Sequence, residues 1–129
     1  KLQVIEEYEF PQGGDADIKV EHHYHGAEAD GVRQVLESSG RSTVQKIFVD
    51  IVKSTRSQAE LSTDLEVIDD DEKNHLMLRG TFAAKEALKW DEQRRVYYCE
   101  FVPHSIVGKV VTVDDKFRKH FNRHLRHRY

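Results

Sequence analysis

The spacing of apolar residues changes along this chain from a period of two to about 3.6 and back to two, and this change most constrains the fold. Residues 2–10 and 17–25 alternate between apolar and polar side chains, with Glu6 as the interruption in the first run. Such alternation is typical of strands with one buried face. The stretch Pro11–Asp15 between them suits a turn, so the two runs are predicted to form a hairpin.

Two amphipathic helices are predicted next. The first covers Ala27 to Ser39, and Gly40 is expected to end it in the left-handed conformation. In the second, Ser42 and Gln45 have the spacing of a capping box. The periodicity of this second helix predicts one buried face. The apolar residues of that face are Val44, Ile47, Phe48, Ile51 and Val52.

After Ser57 the period of two returns. A strand leads into the polar run Asp69–Asn74, which suits a hairpin tip, and the return strand is expected over His75–Phe82. A wider loop carrying Trp90 precedes a last strand over residues 94–102. The order ββααβββ with short links predicts an α+β fold, in which an antiparallel sheet of about five strands carries two helices on one face.

Length and charge suggest one domain with a distinct end. A chain of 129 residues is long enough to bury a core without crosslinks, and we assign residues 1–113 to a single α+β domain. Residues 114–129 are expected to be a basic extension or the start of a further strand. This stretch holds six cations while the net charge of the whole chain is −3, and a solvated end is favoured over a nucleic-acid contact. We expect no membrane span and a fragment of a longer protein.

The one cysteine argues against catalysis by this chain. Cys99 lies in the predicted strand 94–102, between Tyr98 and Glu100, where an inert packed thiol is more usual than an activated nucleophile. We find no Gly-rich phosphate loop, serine triad signature or His-Glu-x-x-His motif. The chain is therefore expected not to be an enzyme, to have no catalytic residue and to use no cofactor.

A histidine-rich strand is the weak candidate for a metal site. His23 and His25 share a strand face with Glu21, and His75 or His104 is a candidate to approach them. A solvated polar face is favoured over zinc binding because no recognised ligand spacing is present. His22 falls on the apolar face, which predicts a hydrogen-bonded core histidine.

Three other groups have a bland interpretation and a functional one. The acids between residues 64 and 72 are interpreted as a charged hairpin tip rather than a calcium loop. His120, His124 and His127 are interpreted as pH-sensitive surface charge. The third group consists of Tyr97, Tyr98 and Phe101 beside Arg94 and Arg95, and we interpret it as core rather than as a stacking site for single-stranded nucleic acid.

The central part of the chain resembles a known family. The segments that carry the resemblance are Tyr24–Gln34, the helix Ile47–Val52, Leu65–Asp70 and Asn74–Leu78. They are similar to the region that follows the papain-like catalytic core in bacterial transglutaminase-like proteins that carry an N-terminal domain of unknown function. The resemblance spans about residues 5–107, and the basic stretch Lys116–Arg128 departs from it.

The resemblance implies a non-catalytic role. In this family the Cys, His and Asp triad belongs to a separate core, and none of its residues can be assigned to this chain. The resemblance therefore implies an accessory domain that docks against, positions or shields a neighbouring core in the same polypeptide, in an extracytoplasmic bacterial setting. The alternative is a stand-alone module that binds a small molecule or a metal near His23 and His25. Substrate, pathway and oligomeric state do not follow from the sequence.

Overall fold

A computed structural model describes residues 1–11 and 13–99 and the backbone of residues 124–128. The chain begins with two strands, β1 (Leu2–Glu9) and β2 (Ala16–His25), which form the predicted hairpin. The helices α1 (Ala27–Ser39) and α2 (Arg41–Thr55) follow. The remaining strands are β3 (Ala59–Leu61), β4 (Glu66–Asp70), β5 (His75–Ala84), β6 (Lys89–Asp91), β7 (Val96–Tyr98) and β8 (His124–Arg128).

The described strands form one large antiparallel sheet and one separate hairpin. Strand β5 lies between β2 on one side and β3 and β4 on the other, because these two short strands pair with different parts of it. Strand β1 follows β2, and β8 pairs with the outer edge of β1. Strands β6 and β7 pair with each other. The predicted α+β class, with an antiparallel sheet and two helices, is confirmed.

Both helices pack on the same face of the large sheet. Even-numbered residues of β1, β2 and β5 point to this face, as the register of Tyr8 with Ile18 and of Ile18 with Phe82 shows. From α2, Phe48 enters the core and packs against Phe82 at a ring distance of 5.9 Å. The largest fully buried side chains are Tyr8, Phe48, Phe82, Ile18, Leu65, Leu76 and Val20.

Glycines allow one close approach, at Gly80, and one sharp turn, at Gly40. A Cβ atom on Gly80 of β5 would lie 2.8 Å from Cε1 of Phe48, so the helix can sit this near the sheet only above a glycine. Gly40 is the single residue between α1 and α2, and its φ of 82° is positive as expected. Its ψ of 170° is extended, so Gly40 turns the chain directly into the next helix rather than adopting the left-handed helical conformation.

The predicted capping box is wrong. Helix α2 begins at Arg41, which places Ser42 inside the first turn, and no side chain caps this helix end. Gln45 instead accepts a hydrogen bond through Oε1 from the backbone N–H of Leu65, at 3.1 Å. Leu65 is fully buried, so its amide needs a partner from the protein. The side chain that the sequence assigned to a cap therefore satisfies a distant backbone group.

The predicted last strand over residues 94–102 is also corrected. Residues 92–95 form a turn in which Arg95 has a φ of 54°, and β7 then covers only Val96–Tyr98. Trp90 lies in strand β6 rather than in a loop. Cys99 follows β7 instead of lying within a strand. The turn separates the two arginines from the strand because the hairpin pairs Trp90 with Tyr97.

Beyond Cys99, the chain is described only in strand β8, which lies within the predicted extension 114–129. Strand β8 runs antiparallel to β1, with Arg128 opposite Ile5 and His124 opposite Glu9. Glu100 and residues 101–123 lie outside the described part of the chain, and so does the predicted boundary at residue 113. Among the helices described, neither is long and apolar enough to cross a membrane.

Candidate functional site

Three imidazoles meet on the face of the sheet that the two helices leave uncovered. His23 and His25 lie on β2, and His75 of β5 is the register partner of His25. The His25 and His75 rings are 4.5 Å apart and tilted by only 12°. The His23 and His75 rings are 5.1 Å apart and tilted by 5°. Of the two partners that the sequence suggested, His75 approaches, and His104 lies outside the described residues. We call the side chains of His23, His25 and His75 the histidine row.

A chain of hydrogen bonds joins the histidine row to a carboxylate. Nε2 of His23 lies 3.0 Å from Oε2 of Glu21, and Nδ1 of His23 lies 2.9 Å from Nε2 of His75. An ionised carboxylate can only accept, so Nε2 of His23 carries the hydrogen of the first bond. In neutral His23 the Nδ1 atom is then an acceptor, and Nε2 of His75 donates to it. The geometry thus fixes the tautomers of both rings.

Glu21 is held in its ionised form by several donors. Its other carboxylate oxygen, Oε1, lies 3.0 Å from Nε of Arg79 and 3.3 Å from Nζ of Lys19. Burial opposes ionisation of Glu21, but the hydrogen bonds from His23 and Lys19 and the charge of Arg79 outweigh it, and the pKa is lowered. This carboxylate is the fixed end of the hydrogen-bonded chain.

The same geometry works against a metal ion at His23. Both ring nitrogens of His23 are engaged in hydrogen bonds, so no lone pair is left for a cation unless those bonds break. Within residues 1–11 and 13–99, no three His, Cys, Asp or Glu side chains are arranged to hold a metal. His23 and His25, the weak metal candidates, are instead parts of a polar network on the sheet surface.

His22 points to the opposite face and is buried. It is 5% exposed, its Nδ1 lies 3.2 Å from the Tyr24 hydroxyl, and its ring meets Phe48 edge-on at 4.8 Å. This is the hydrogen-bonded core histidine that the alternation predicts. Burial, followed by the charge of Glu28, raises the pKa of Tyr24, so its hydroxyl stays protonated.

The acidic group near the β4–β5 turn is occupied by cations of the protein. Arg33 of α1 binds Asp69 at 2.6 Å, Asp30 at 2.9 Å and the side-chain oxygen of Asn74 at 2.5 Å. The hydrogen bond from Arg33 holds the pKa of Asp69 below its ordinary value. These contacts tie α1 to the turn by bringing Asp30 and Asp69 onto one guanidinium group, which fits the interpretation as a charged hairpin tip.

Two further acids of this group behave in the same way. Asp70 binds Lys73 at 3.0 Å, and this hydrogen bond lowers the pKa of Asp70. Glu66 binds Arg79 at 3.2 Å. Each carboxylate therefore has a cationic side chain as its nearest partner.

The aromatic residues of the β6–β7 hairpin are not core residues. Trp90 and Tyr97 face each other across the hairpin with ring centroids 4.8 Å apart, and they are 46% and 63% exposed. The interpretation of Tyr97 as core is therefore wrong, because the hairpin stands apart from the large sheet. Cross-strand aromatic pairing explains the contact between the rings.

The thiol of Cys99 is half-buried and not disulfide-bonded. It lies near enough to Tyr8 to affect that phenol electrostatically, although burial is the main cause that raises the pKa of Tyr8. Several other predicted site residues lie outside the described chain, namely Phe101, His104 and His120. Of His124 and His127 only the backbone is described, in strand β8.

An apolar groove between the helices was missed by the sequence analysis. Ile47 and Ile51 of α2 are 48% and 36% exposed, while Val44, Phe48 and Val52 of the same pattern are buried. Val35 of α1 is 36% exposed and Leu2 of β1 is 45% exposed on the same side. These side chains line a cavity of about 360 Å³, which is otherwise walled mainly by apolar atoms. The groove lies on the helix side of the sheet, away from the histidine row.

One signal in the sequence points to this groove. Five apolar positions at i, i+3, i+4, i+7 and i+8 make a stripe wider than the single row that packs on the sheet. The row i, i+4, i+8 is buried, and the row i+3, i+7 faces the groove. The stripe predicts an apolar surface, but only the packing of α2 on the sheet decides which of the two rows stays exposed.

A buried ion pair lies under the C-terminal end of α2. Arg56 binds Glu6 of β1 at 2.6 Å, with the two side chains 11% and 8% exposed. Arg56 also donates through Nε to the Tyr8 hydroxyl, which in turn lies 3.2 Å from Oε2 of Glu6. The interruption of the alternation at Glu6 is thus a charged residue on the core-facing side of β1.

Chemically, the described chain offers one apolar groove and one hydrogen-bonded polar row, on opposite faces. The groove suits apolar side chains from a partner, and the row suits proton binding. Comparison of the chain with protein-family models, with characterised proteins and with solved structures finds no match.

Proposed function

We propose that this chain is a non-catalytic accessory domain that docks through the groove against the neighbouring catalytic core of a larger transglutaminase-like protein. The observation that carries the proposal is the convergence of four partly exposed apolar side chains, Leu2, Val35, Ile47 and Ile51, on one cavity. Contiguous apolar surface of this kind often marks an interaction site. The resemblance of Tyr24–Gln34 and the later segments to the family supports this choice of partner.

The energetic reason is the cost of leaving these side chains in water. Transfer of apolar surface out of water stabilises a complex by about 25 cal/mol per Å². A partner that inserts two or three apolar side chains between α1 and α2 would remove the groove from solvent. The groove is small, so a few anchor side chains would dominate the binding free energy.

The charges near the groove indicate which charge is expected on the partner's surface. Among the described residues that line the cavity, Glu28 carries a charge; its side chain is 50% exposed and binds the N-terminal ammonium group of Lys1 at 2.8 Å. Asp50, three residues after Ile47 on α2, is also exposed. Complementarity therefore favours a core surface that places Lys or Arg next to its apolar anchors.

The groove also supports the alternative of small-molecule binding, though not at the place first expected. Its volume of about 360 Å³ falls at the low end of the range, roughly 300–1,000 Å³, that is usual for ligand pockets. The expected pocket near His23 and His25 would have been on the opposite face. This alternative would be favoured if an apolar ligand bound the isolated chain in the absence of any catalytic core. Substitution of Ile47 should then weaken the binding of that ligand.

The test uses the parent reading frame. The purified transglutaminase-like core encoded beside this chain is titrated with the chain in a calorimeter, and we expect saturable binding. Ile47→Gln should weaken this binding at least about tenfold, which corresponds to about 1.4 kcal/mol. The reason is that the substitution places a polar amide where the apolar side chains of the partner would insert. The matched control is Ile68→Gln, since Ile68 is 44% exposed but lies on β4.

Two results would contradict the proposal. A parent reading frame without such a core removes the proposed partner. Equal weakening by the Ile47 and Ile68 substitutions shows that the groove is not the contact surface. Unchanged thermal unfolding of the Ile47 variant confirms that any loss of binding is local.

A further inference from the structure

We propose that the histidine row is a proton-operated latch between β2 and β5. While the row carries at most one added proton it joins the two strands where α1 begins, and a second proton drives the stacked rings apart and loosens that junction. This inference concerns the uncovered face of the sheet and does not depend on the proposed docking role of the groove.

The histidine row lies where β2 ends, next to the start of α1. His25 is the last residue of β2, and Gly26 leads directly into α1. The Gly26 N–H donates to the backbone oxygen of Asn74 at 3.1 Å, next to His75. The His25 N–H donates to the backbone oxygen of Lys1 at 2.9 Å. Separation of His25 from His75 would therefore strain the hydrogen bonds that fix the start of α1.

The hydrogen-bonded chain explains why the neutral row is stable. Glu21 accepts from His23, and His23 accepts from His75, so the donors of these two rings each have an acceptor. Protonation of His23 would turn its Nδ1 into a donor that points at the donating Nε2 of His75. The existing bond would then require His75 to reverse its own tautomer. The hydrogen bond between the two rings in its present direction thus belongs to the neutral row.

The row has little spare negative charge nearby. On β2 and β5, Glu21 is already shared among His23, Lys19 and Arg79. From β4 and the following turn, Asp70 is engaged by Lys73, which adds a positive charge close to His75. One added proton can be balanced by Glu21 and Asp70, but both carboxylates already bind other cations, so a second proton is balanced less well.

Other charged groups on the adjoining elements also form ion pairs, whereas Glu72 of the β4–β5 turn is exposed to solvent. The remaining ion pairs of the adjoining elements are Asp69 with Arg33, Glu66 with Arg79, Glu7 with Lys19, and Glu28 with Lys1. Two imidazolium ions at the observed ring distance of 4.5 Å would repel each other. Separation of the two rings would also expose both charges to water, which stabilises them, because the three side chains are only partly buried.

The electrostatics of His75 agree with this picture. Burial lowers the pKa of His75 below its ordinary 6.5, and the neighbouring His25 and His23 lower it further. The folded chain therefore binds this proton less readily than the unfolded chain does. The resulting stabilisation is complete above pH 6.5 and is lost as the pH falls through the folded value.

The experiment is amide hydrogen exchange of the full chain at pH 7.5 and pH 5.5, with EDTA present to exclude metal ions. After correction for intrinsic exchange, protection of the His25 and Gly26 amides should fall at least about tenfold more than that of Val20, in the middle of β2. Tenfold corresponds to one pKa unit of altered proton affinity. In His75→Phe, which keeps a flat ring but cannot take a proton, the selective loss should disappear.

A second variant and a control complete the test. His25→Gln removes the other stacked ring and should also abolish the selective loss, which keeps the proposal testable if the phenylalanine variant fails to fold. Glu37→Gln removes an exposed titratable group near the C-terminal end of α1 and should behave as wild type. An equal fall in protection at His25, Gly26 and Val20 overturns the proposal, and so does a selective loss that persists in both row variants.

Discussion

The two faces of the large sheet achieve burial by different means. On the helix-covered face, Ile18, Val20 and Phe82 are buried by apolar contact with α1 and α2. On the uncovered face, Glu21 is 9% exposed although no helix of the described chain lies over it. Long neighbouring side chains and hydrogen bonds shield it there. A strand face that neither α1 nor α2 covers can therefore still be ordered, provided that its polar groups satisfy one another.

The comparison also has an exception on each side. Glu6 brings a charge to the covered face, and its partner Arg56 comes from the end of α2. Met77 and Ile5 are each 7% exposed on the uncovered face, between the polar side chains. Neither face is therefore purely apolar or polar, and the following substitutions measure how much each kind of contact contributes.

The largest effect is expected for Phe48→Ala on the covered face. Phe48 is 1% exposed and fills the space above Gly80, so truncation leaves a cavity next to Phe82. Loss of such a ring typically costs about 3–5 kcal/mol in the free energy of unfolding. Ile47→Ala on the same helix should cost less than about 1.5 kcal/mol, because half of Ile47 is already in water. Urea denaturation at neutral pH measures both, and equal losses would contradict the packing described.

A smaller effect is expected when the buried ion pair is broken. Glu6→Leu leaves the Arg56 guanidinium in a site where it is only 11% exposed. Removal of one partner of a buried pair costs about 3 kcal/mol, since the other charge stays desolvated. The double variant Glu6→Leu with Arg56→Met should recover most of that loss. Additive losses in a double-mutant cycle would show that the two charges are not coupled.

The smallest effect is expected for Glu21→Gln on the uncovered face. This change removes the charge that Arg79, Lys19 and His23 share, and it should cost about 1–2 kcal/mol at pH 7. The pKa of Glu21 is lowered from 4.5, so its contribution is complete above that pH and is lost as the pH falls further. Wild type and variant should therefore converge in stability near pH 3.

The matched control for Glu21 is Glu66→Gln. Glu66 also binds Arg79, but its side chain is 59% exposed and water screens the pair. Its removal should change the free energy of unfolding by less than about 0.5 kcal/mol in the same urea titrations. A larger effect at Glu66 than at Glu21 would show that the uncovered face does not shield its charges as described.

Much of the fold was predictable because it follows from local pattern. The alternation in residues 17–25 assigns Ile18, Val20 and His22 to one face, and the structure buries all three. The bounds of α1 were also predicted, since apolar spacing and Gly40 mark them. The predicted bounds of the last strand were wrong at Arg94 and Arg95. Residues 94–102 have high strand propensity, but the turn before Val96 places the two arginines outside the pairing.

The candidate sites were less predictable because each needs residues from distant segments. The sequence indicated that His23 and His25 share a face, but the approach of His75 depends on the register of β5 against β2. The groove depends on how α2 faces the sheet, with Val44 buried and Ile47 exposed. The register of the strands and the orientation of the helix are set by packing across the whole sheet, so a short window of sequence does not reveal them.

By itself, the sequence determined the first hairpin and the two helices that follow it, the face that each β2 residue occupies and the presence of an apolar stripe on α2. These properties follow from the pleat of a strand and the turn of a helix, which act over a few residues. Only the tertiary structure decided that Glu6 meets Arg56, that His75 completes the histidine row and that Ile47 and Ile51 line a groove. Those contacts join residues up to 52 positions apart, and their geometry exists only when the layers have packed.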